Sequence, residues 1–125
     1  MKLVKSMKII EYNPEIKKGG CVVRAASIIF NKSCDEVISD LEKIGEDFSN
    51  PSKFDEYYKS NNLTETDDYN GREISELNIY GKNIVYVVKE DWHHLIAVID
   101  NVIYDKNSYE DLEHMVVHKT YTLKK

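Results

Sequence analysis

One cysteine of this sequence stands where a thiol can become a nucleophile. Cys21 follows Gly19 and Gly20 and opens the mostly apolar stretch 21–30, which predicts a helix. Unpaired N–H groups and the helix dipole favour a negative charge at a helix start, so a thiol there has a lowered pKa. The glycines leave room for a substrate beside the sulfur. Cys21 is therefore the candidate nucleophile, and the alternative is a small buried side chain without chemistry.

A β-hairpin is predicted later in the chain, and it carries a histidine and an aspartate. Segments 94–99 and 102–106 read as strands, joined by Asp100 and Asn101. These two residue types favour a two-residue turn with positive φ. Such a turn pairs the last residue of the first strand, Ile99, with the first residue of the second.

The register of this hairpin selects one of two adjacent histidines. It places His94 and Asp105 on one face as diagonal neighbours, with Cβ atoms within roughly 7 Å, so the carboxylate can reach an imidazole N–H. His93 points to the opposite face. The hairpin is otherwise apolar on both faces, where a carboxylate is costly unless it is paired. The alternative is that Asp105 ends a strand at the surface and His94 is a hydrogen-bonded core or edge histidine.

Helix signals lie between the cysteine and the hairpin. Ser33 and Glu36 have the spacing of a capping box, and Gly45 is expected to end that helix in a left-handed conformation. Asn50 and Pro51 are typical of the start of a further helix. Other predicted elements are a strand or extended segment at 7–12, short helices around 72–77 and 108–111, a strand at 84–89 and a strand near 115–123.

Helices followed by an antiparallel sheet predict an α+β fold, and 125 residues suffice for a single domain spanning 1–125. The net charge of −5 gives no electrostatic reason to expect nucleic acid or an anionic membrane surface as a partner. Residues 1–6 lack the apolar core of a signal peptide, and no apolar run is long enough to span a bilayer. We therefore expect a cytoplasmic protein, in which two cysteines stay reduced.

A metal site is not expected from the remaining candidate ligands. Asp91, His93 and His94 are close in sequence, but neighbouring strand residues face opposite ways and chelate poorly. Cys34 has no histidine or acid near it in sequence that would make a site, and packing is its expected role. Trp92 is expected to be a core or rim aromatic side chain. No cofactor is expected.

The motifs around these residues resemble papain-like cysteine peptidases. They are Cys-Val-Val-Arg-Ala-Ala at 21–26, Ser-Cys-Asp-Glu-Val at 33–37, and His-Leu-Ile-Ala-Val-Ile-Asp at 94–100 followed by Tyr-Asp at 104–105. The chain looks most like the small phage- and prophage-encoded members of this superfamily in Gram-positive bacteria. The resemblance spans residues 12–106, and its histidine–aspartate part is the more specific.

This resemblance implies a papain-like fold in which the cysteine-bearing helix packs on a small antiparallel sheet. It assigns Cys21 as nucleophile, His94 as base and Asp105 as the third member of a triad. Papain-type sites also use a glutamine six residues before the cysteine to bind the oxyanion. That position is Glu15 here, and the chain contains no glutamine. Asn13 is then the nearest amide donor for the oxyanion, beside the backbone N–H of the cysteine.

The function implied is hydrolysis of a peptide, isopeptide or other amide bond in a protein or peptide substrate, without a cofactor or metal. Such a protein would be a phage or prophage accessory protein in the host-cell cytoplasm. A second hypothesis is a papain-fold protein without catalysis, which binds and inhibits a host defence factor. A third is an acyltransferase or crosslinking enzyme that uses the same thiol.

Overall fold

The secondary structure alternates short helices with the strands of one sheet. The computed structural model describes residues 7–45 and 50–123. Residues 1–6, for which the sequence predicts no signal-peptide core, lie outside the described residues. The elements are β1 (Lys8–Glu11), α1 (Gly20–Ile29), α2 (Cys34–Ile44), α3 (Pro51–Ser60), β2 (Leu63–Thr66), a 3₁₀ turn (Ile74–Glu76), β3 (Lys82–Lys89), β4 (Trp92–Ile99), β5 (Val102–Asp105), α4 (Tyr109–Leu112) and β6 (Val116–Leu123).

The sheet has six strands in the order β1-β5-β4-β3-β6-β2. Four of its five strand pairings, from β5 across to β2, are antiparallel, whereas β1 runs parallel to β5. The predicted α+β class is confirmed, but the expected purely antiparallel sheet is wrong. A parallel pair joins strands that are distant in sequence, so local patterns do not reveal it.

The turn between β4 and β5 has the predicted geometry. Asp100 and Asn101 have φ of 47° and 66°, and Ile99 pairs with Val102. The pairing at the turn sets the register of β4 against β5 along the whole hairpin. The residues that carry the candidate chemistry therefore lie at the end of the hairpin away from the turn.

Side chains of the same turn tie it to the segment that precedes β3. The Asn101 Oδ1 atom accepts a hydrogen bond from the Ile79 N–H at 3.0 Å. The Asp100 Oδ1 atom accepts one from the Gly81 N–H at 2.9 Å. Because these bonds join distant parts of the chain, they hold the turn and its register in place.

The helix starts follow the sequence signals, and one helix end does not. Ser33 and Glu36 form the capping box, and the Asn50 side chain accepts a hydrogen bond from the Ser52 N–H at the start of α3. Gly45 ends α2 with φ of 163° and ψ of 168°, which is extended backbone, so the predicted left-handed end is wrong. Among the helices in the described residues, none is long and apolar enough to cross a bilayer.

Hydrophobic clusters cover both faces of the sheet. One cluster lies between α1, α2, α3 and the sheet and includes Val23, Ala26, Leu41, Tyr58, Leu95 and Ala97. The other lies on the opposite face and includes Ile74, Ile96, Val98, Ile103, Leu112 and Met115. Side chains alternate between the two clusters along β4, as the period of two along a strand requires. The two packed faces hold β4 and β5 rigidly beside α1.

Candidate active site

Cys21 is the second residue of α1, and the residues before it have left-handed backbone. Gly19 and Gly20 have φ of 91° and 47°, a region that disfavours residues with a Cβ. The Val22 N–H bonds the Gly19 carbonyl, while the N–H groups of Gly20 and Cys21 have no backbone acceptor within the described residues. A Cβ at position 20 would meet nothing within 4 Å outside its chain neighbours, so the space beside Gly20 is open.

His94 and Asp105 form the contact that the hairpin register predicts. The His94 Nε2 atom lies 3.0 Å from Asp105 Oδ2. Both residues are buried, with 5% and 1% of their surface exposed. His93 makes a different contact, since its Nδ1 atom lies 2.8 Å from the Tyr86 hydroxyl. The choice of His94 over His93 as the partner of the carboxylate is confirmed.

Cys21 and His94 line the same cleft, and each shifts the pKa of the other. Burial raises the pKa of the Cys21 thiol. A hydrogen bond to His94, the charge of that imidazolium, the Leu95 backbone N–H and the Arg24 charge outweigh burial, so the net pKa lies below its ordinary value of 9.0. Because Nε2 of His94 faces the carboxylate, Nδ1 is the ring nitrogen left for the thiol.

The imidazole and the carboxylate stabilise each other's charged forms. Burial lowers the pKa of His94, but the hydrogen bonds and charges of Asp105 and Cys21 raise it to about 9. Burial raises the pKa of Asp105, but His94 and Asn107 hold it below its ordinary value. At neutral pH, these shifts favour a thiolate beside an imidazolium, with an ionised carboxylate behind it.

Asn107 is part of the site, and the sequence analysis assigned it no role. Its backbone N–H and its side-chain Nδ2 donate to Asp105 Oδ2 at 3.2 and 2.9 Å. Its Nδ2 atom also lies 3.3 Å from His94 Nε2. Asn107 therefore holds the oxygen that faces the imidazole. The signal for it was the asparagine two residues after the aspartate, because such residues bond nearby backbone and side chains in turns.

Arg24 lies behind the carboxylate, and the sequence analysis gave it no role either. Its side chain is buried, and Nη1 lies 3.8 Å from Asp105 Oδ1. Arg24 Nε and Nη1 and Asp105 Oδ1 have no hydrogen-bond partner among the described residues. The pair therefore acts by charge rather than by a direct hydrogen bond. The signal was an arginine in an otherwise apolar helix, three residues after the cysteine and so on the same face.

These side chains open onto a cleft of about 360 Å³. The Trp92 ring lies 5.2 Å from the His94 ring between centroids, tilted by 30°, and Trp92 is 37% exposed. It is a rim residue that covers the imidazole from solvent. The cleft is lined by Gly20, Cys21, Arg24, Trp92, His93, His94, Lys106 and Asn107.

Two sequence candidates lie apart from this cleft. Asn13, the amide donor expected for the oxyanion, is exposed and does not line the cleft. Cys34 is partly buried at the start of α2 and packs against the cluster under the helices. Within residues 7–45 and 50–123, no three His, Cys, Asp or Glu side chains are grouped so that they could hold a metal ion. Among the described residues, the backbone N–H groups of Gly20 and Cys21 have no backbone acceptor, so they are the donors left for an oxyanion beside the thiol.

The geometry thus joins a thiol at a helix start to an imidazole and a carboxylate on two neighbouring strands. This arrangement can activate a sulfur nucleophile, hold an oxyanion on backbone N–H groups and transfer protons through one histidine. Comparison of the chain with protein-family models, with curated proteins and with solved structures finds no match in any of the three.

Proposed function

We propose that this protein is a papain-like thiol hydrolase that cleaves a peptide, isopeptide or other amide bond. The observation that carries the proposal is that Cys21 and His94 line one cleft, with His94 Nε2 3.0 Å from the buried carboxylate of Asp105. A cysteine-bearing helix beside strands that carry the histidine and the acid is also the arrangement expected from the resemblance to papain-like peptidases. From the same resemblance, we infer a phage or prophage accessory protein that acts in the host cytoplasm.

The reaction begins when the Cys21 thiolate attacks the carbonyl carbon of the bound amide. The resulting oxyanion accepts hydrogen bonds from the N–H groups of Gly20 and Cys21. His94 then gives its Nδ1 proton to the departing amine, the C–N bond breaks, and a thioester to Cys21 remains. Water attacks this thioester while His94 takes its proton, and the acid is released as the thiolate re-forms.

The supporting residues act on the imidazole rather than on the substrate. Asp105 accepts a hydrogen bond from the Nε2–H group, which leaves Nδ1 as the nitrogen that faces the thiol, and it stabilises the imidazolium. Asn107 orients the carboxylate oxygen that makes this bond. Trp92 shields the ring from water, which strengthens the charge interactions around it.

A non-catalytic binding protein is the second candidate, and one observation favours it. Asn13, the side chain expected to help bind the oxyanion, is exposed and outside the cleft. A site with only backbone donors would stabilise the tetrahedral intermediate less. In this alternative, the papain-like domain binds and inhibits a host defence factor, and the cleft only grips part of that partner.

Alkylation by an electrophile at pH 7 tests the proposal against this alternative. The matched variants are Cys34→Ser, which leaves only the candidate nucleophile, and Cys21→Ser, which leaves only the packing cysteine. We expect intact-mass spectrometry to show much faster alkylation of Cys21 than of Cys34. Equal and slow alkylation of the two thiols would contradict an activated nucleophile.

Turnover is tested separately with a peptide library and mass spectrometry of the products. Hydrolysis should be present in the Cys34→Ser protein and absent in Cys21→Ala. A biological effect that persists unchanged in Cys21→Ala would instead favour the binding protein. The Cys21→Ala protein also serves as a trap, because it can retain an uncleaved substrate for identification by mass spectrometry.

A further inference from the structure

The cleft differs in charge from the protein around it. The chain as a whole has a net charge of −5, yet the cleft lining contains an arginine, a lysine and two histidines and no acidic side chain. Glu90 and Asp91 precede the rim residue Trp92 in the chain, but neither lines the cleft. The acidic character of the surface therefore does not extend to the walls around the thiol.

The charges inside the cleft cancel in pairs except for one. The thiolate of Cys21 balances the imidazolium of His94, and Asp105 balances the buried guanidinium of Arg24. Lys106 remains, directly after the carboxylate in sequence. It is exposed, and no carboxylate lies within 4.0 Å of its Nζ atom in the part of the chain that the structure describes.

The remaining polar groups of the cleft also favour an anion. Unpaired N–H groups and the dipole at the start of α1 add partial positive charge beside the sulfur. The Arg24 guanidinium is 5% exposed and lines the cleft, with Nε and Nη1 lacking hydrogen-bond acceptors among the described residues. A volume of about 360 Å³ lies at the lower end of the range for ligand pockets.

We propose that the cleft selects substrates that carry a carboxylate next to the reacting amide bond, with Lys106 as the counter-ion of that carboxylate. This inference rests on the proposed thiol hydrolase function, because it names the substrate class of the same site. The preference is a Coulomb interaction between one lysine and one acid near the surface, so salt weakens it.

A pair of alkylating reagents measures this preference without requiring turnover. Iodoacetate and iodoacetamide form the same bond with the Cys21 sulfur and release iodide, and they differ in that only iodoacetate is charged. The measured quantity is the ratio of their rate constants in a Cys34→Ser background. We expect Lys106→Gln to lower the iodoacetate-to-iodoacetamide ratio by about three- to tenfold at low salt, with the iodoacetamide rate nearly unchanged.

Lys82→Gln is the matched control, since Lys82 is an exposed lysine that does not line the cleft. Its ratio should equal that of the parent protein. The parent ratio should also fall as salt is raised to about 1 M, where the Debye length is about 3 Å. Equal ratios in Lys106→Gln and Lys82→Gln, or a parent ratio that salt does not change, would overturn the proposal.

The outcome separates failure of this inference from failure of the proposed function. Matched peptides that differ only by Glu against Gln or Asp against Asn are offered to the Cys34→Ser protein. Turnover without preference for the acidic peptides refutes the charge selectivity and leaves the hydrolase proposal intact. A Lys106-dependent alkylation ratio without turnover of any peptide refutes the hydrolase and supports a thiol cleft that binds anionic groups.

Discussion

Replacing Asp105 with asparagine tests whether the buried carboxylate keeps His94 protonated. The rise of the His94 pKa from 6.5 to about 9 corresponds to about 3 kcal/mol of preferential stabilisation of the imidazolium. Asp105 is the largest contributor that raises it, whereas burial lowers it. The amide oxygen introduced by Asp105→Asn would still accept a hydrogen bond from the Nε2–H group but would carry no charge. We therefore expect the pKa of His94 to fall back toward its ordinary value and that of Cys21 to rise.

The assay is the rate of alkylation by uncharged iodoacetamide between pH 4 and 10 in a Cys34→Ser background. The rate follows the thiolate fraction, so the parent protein should reach its plateau well below the ordinary thiol pKa of 9.0. In Asp105→Asn the inflection should move to higher pH. At pH values below the Cys21 pKa, each unit by which that pKa rises should lower the thiolate fraction, and with it the rate, about tenfold.

The control is Asp111→Asn, which removes an exposed carboxylate of α4 and should leave the profile unchanged. Asp105→Asn also leaves the buried Arg24 cation without its partner, which can destabilise the fold by about 3–5 kcal/mol. The double variant Arg24→Met/Asp105→Asn removes both buried charges, so the alkylation profile can still be measured if Asp105→Asn alone does not fold. An unchanged inflection and an unchanged rate at pH 7 in a folded variant would refute the reasoning.

Three further predictions concern stability. In Cys21→Ser the Asp105 carboxylate still raises the pKa of His94, so the imidazolium should stabilise the fold fully below about pH 6.5 and lose that stabilisation as pH rises through the raised pKa. Urea unfolding at several pH values measures this, and a free energy of unfolding that does not change with pH would contradict it. Gly20→Ala should lower the free energy of unfolding by about 1–2 kcal/mol, measured in urea, because φ is 47° and no steric clash adds to the cost. Ser33→Ala should cost about 0.5–2 kcal/mol in the same measurement, with exposed Ser39→Ala as the control, and equal effects of the two would exclude a capping role.

Local chemistry explains why much of the site could be predicted from the sequence. The capping box at Ser33 and the turn residues Asp100 and Asn101 act through bonds and dihedral angles within a few residues. The turn then fixes the strand register, which alone decides that His94 rather than His93 meets the carboxylate. Short-range rules were therefore sufficient for the imidazole–carboxylate pair.

Features that depend on distant parts of the chain were not predicted. Strand β1 joins β5 in parallel, and nothing local in either strand encodes that partner. Strand β2 was missed because only Leu63 of its four residues is buried, so it has little apolar alternation. The role of Arg24 depends on its contact with Asp105, a residue far from it in sequence.

The tethered turn between β4 and β5 limits how the chain can be re-engineered. Asn101 and Asp100 each bond a backbone N–H group of the segment before β3, so this turn is a structural joint rather than a free surface loop. Inserting a tag there, or opening new termini by circular permutation, would remove both bonds. A one-residue slip would then exchange the positions of His93 and His94, and a well-folded product would carry the wrong histidine at the thiol.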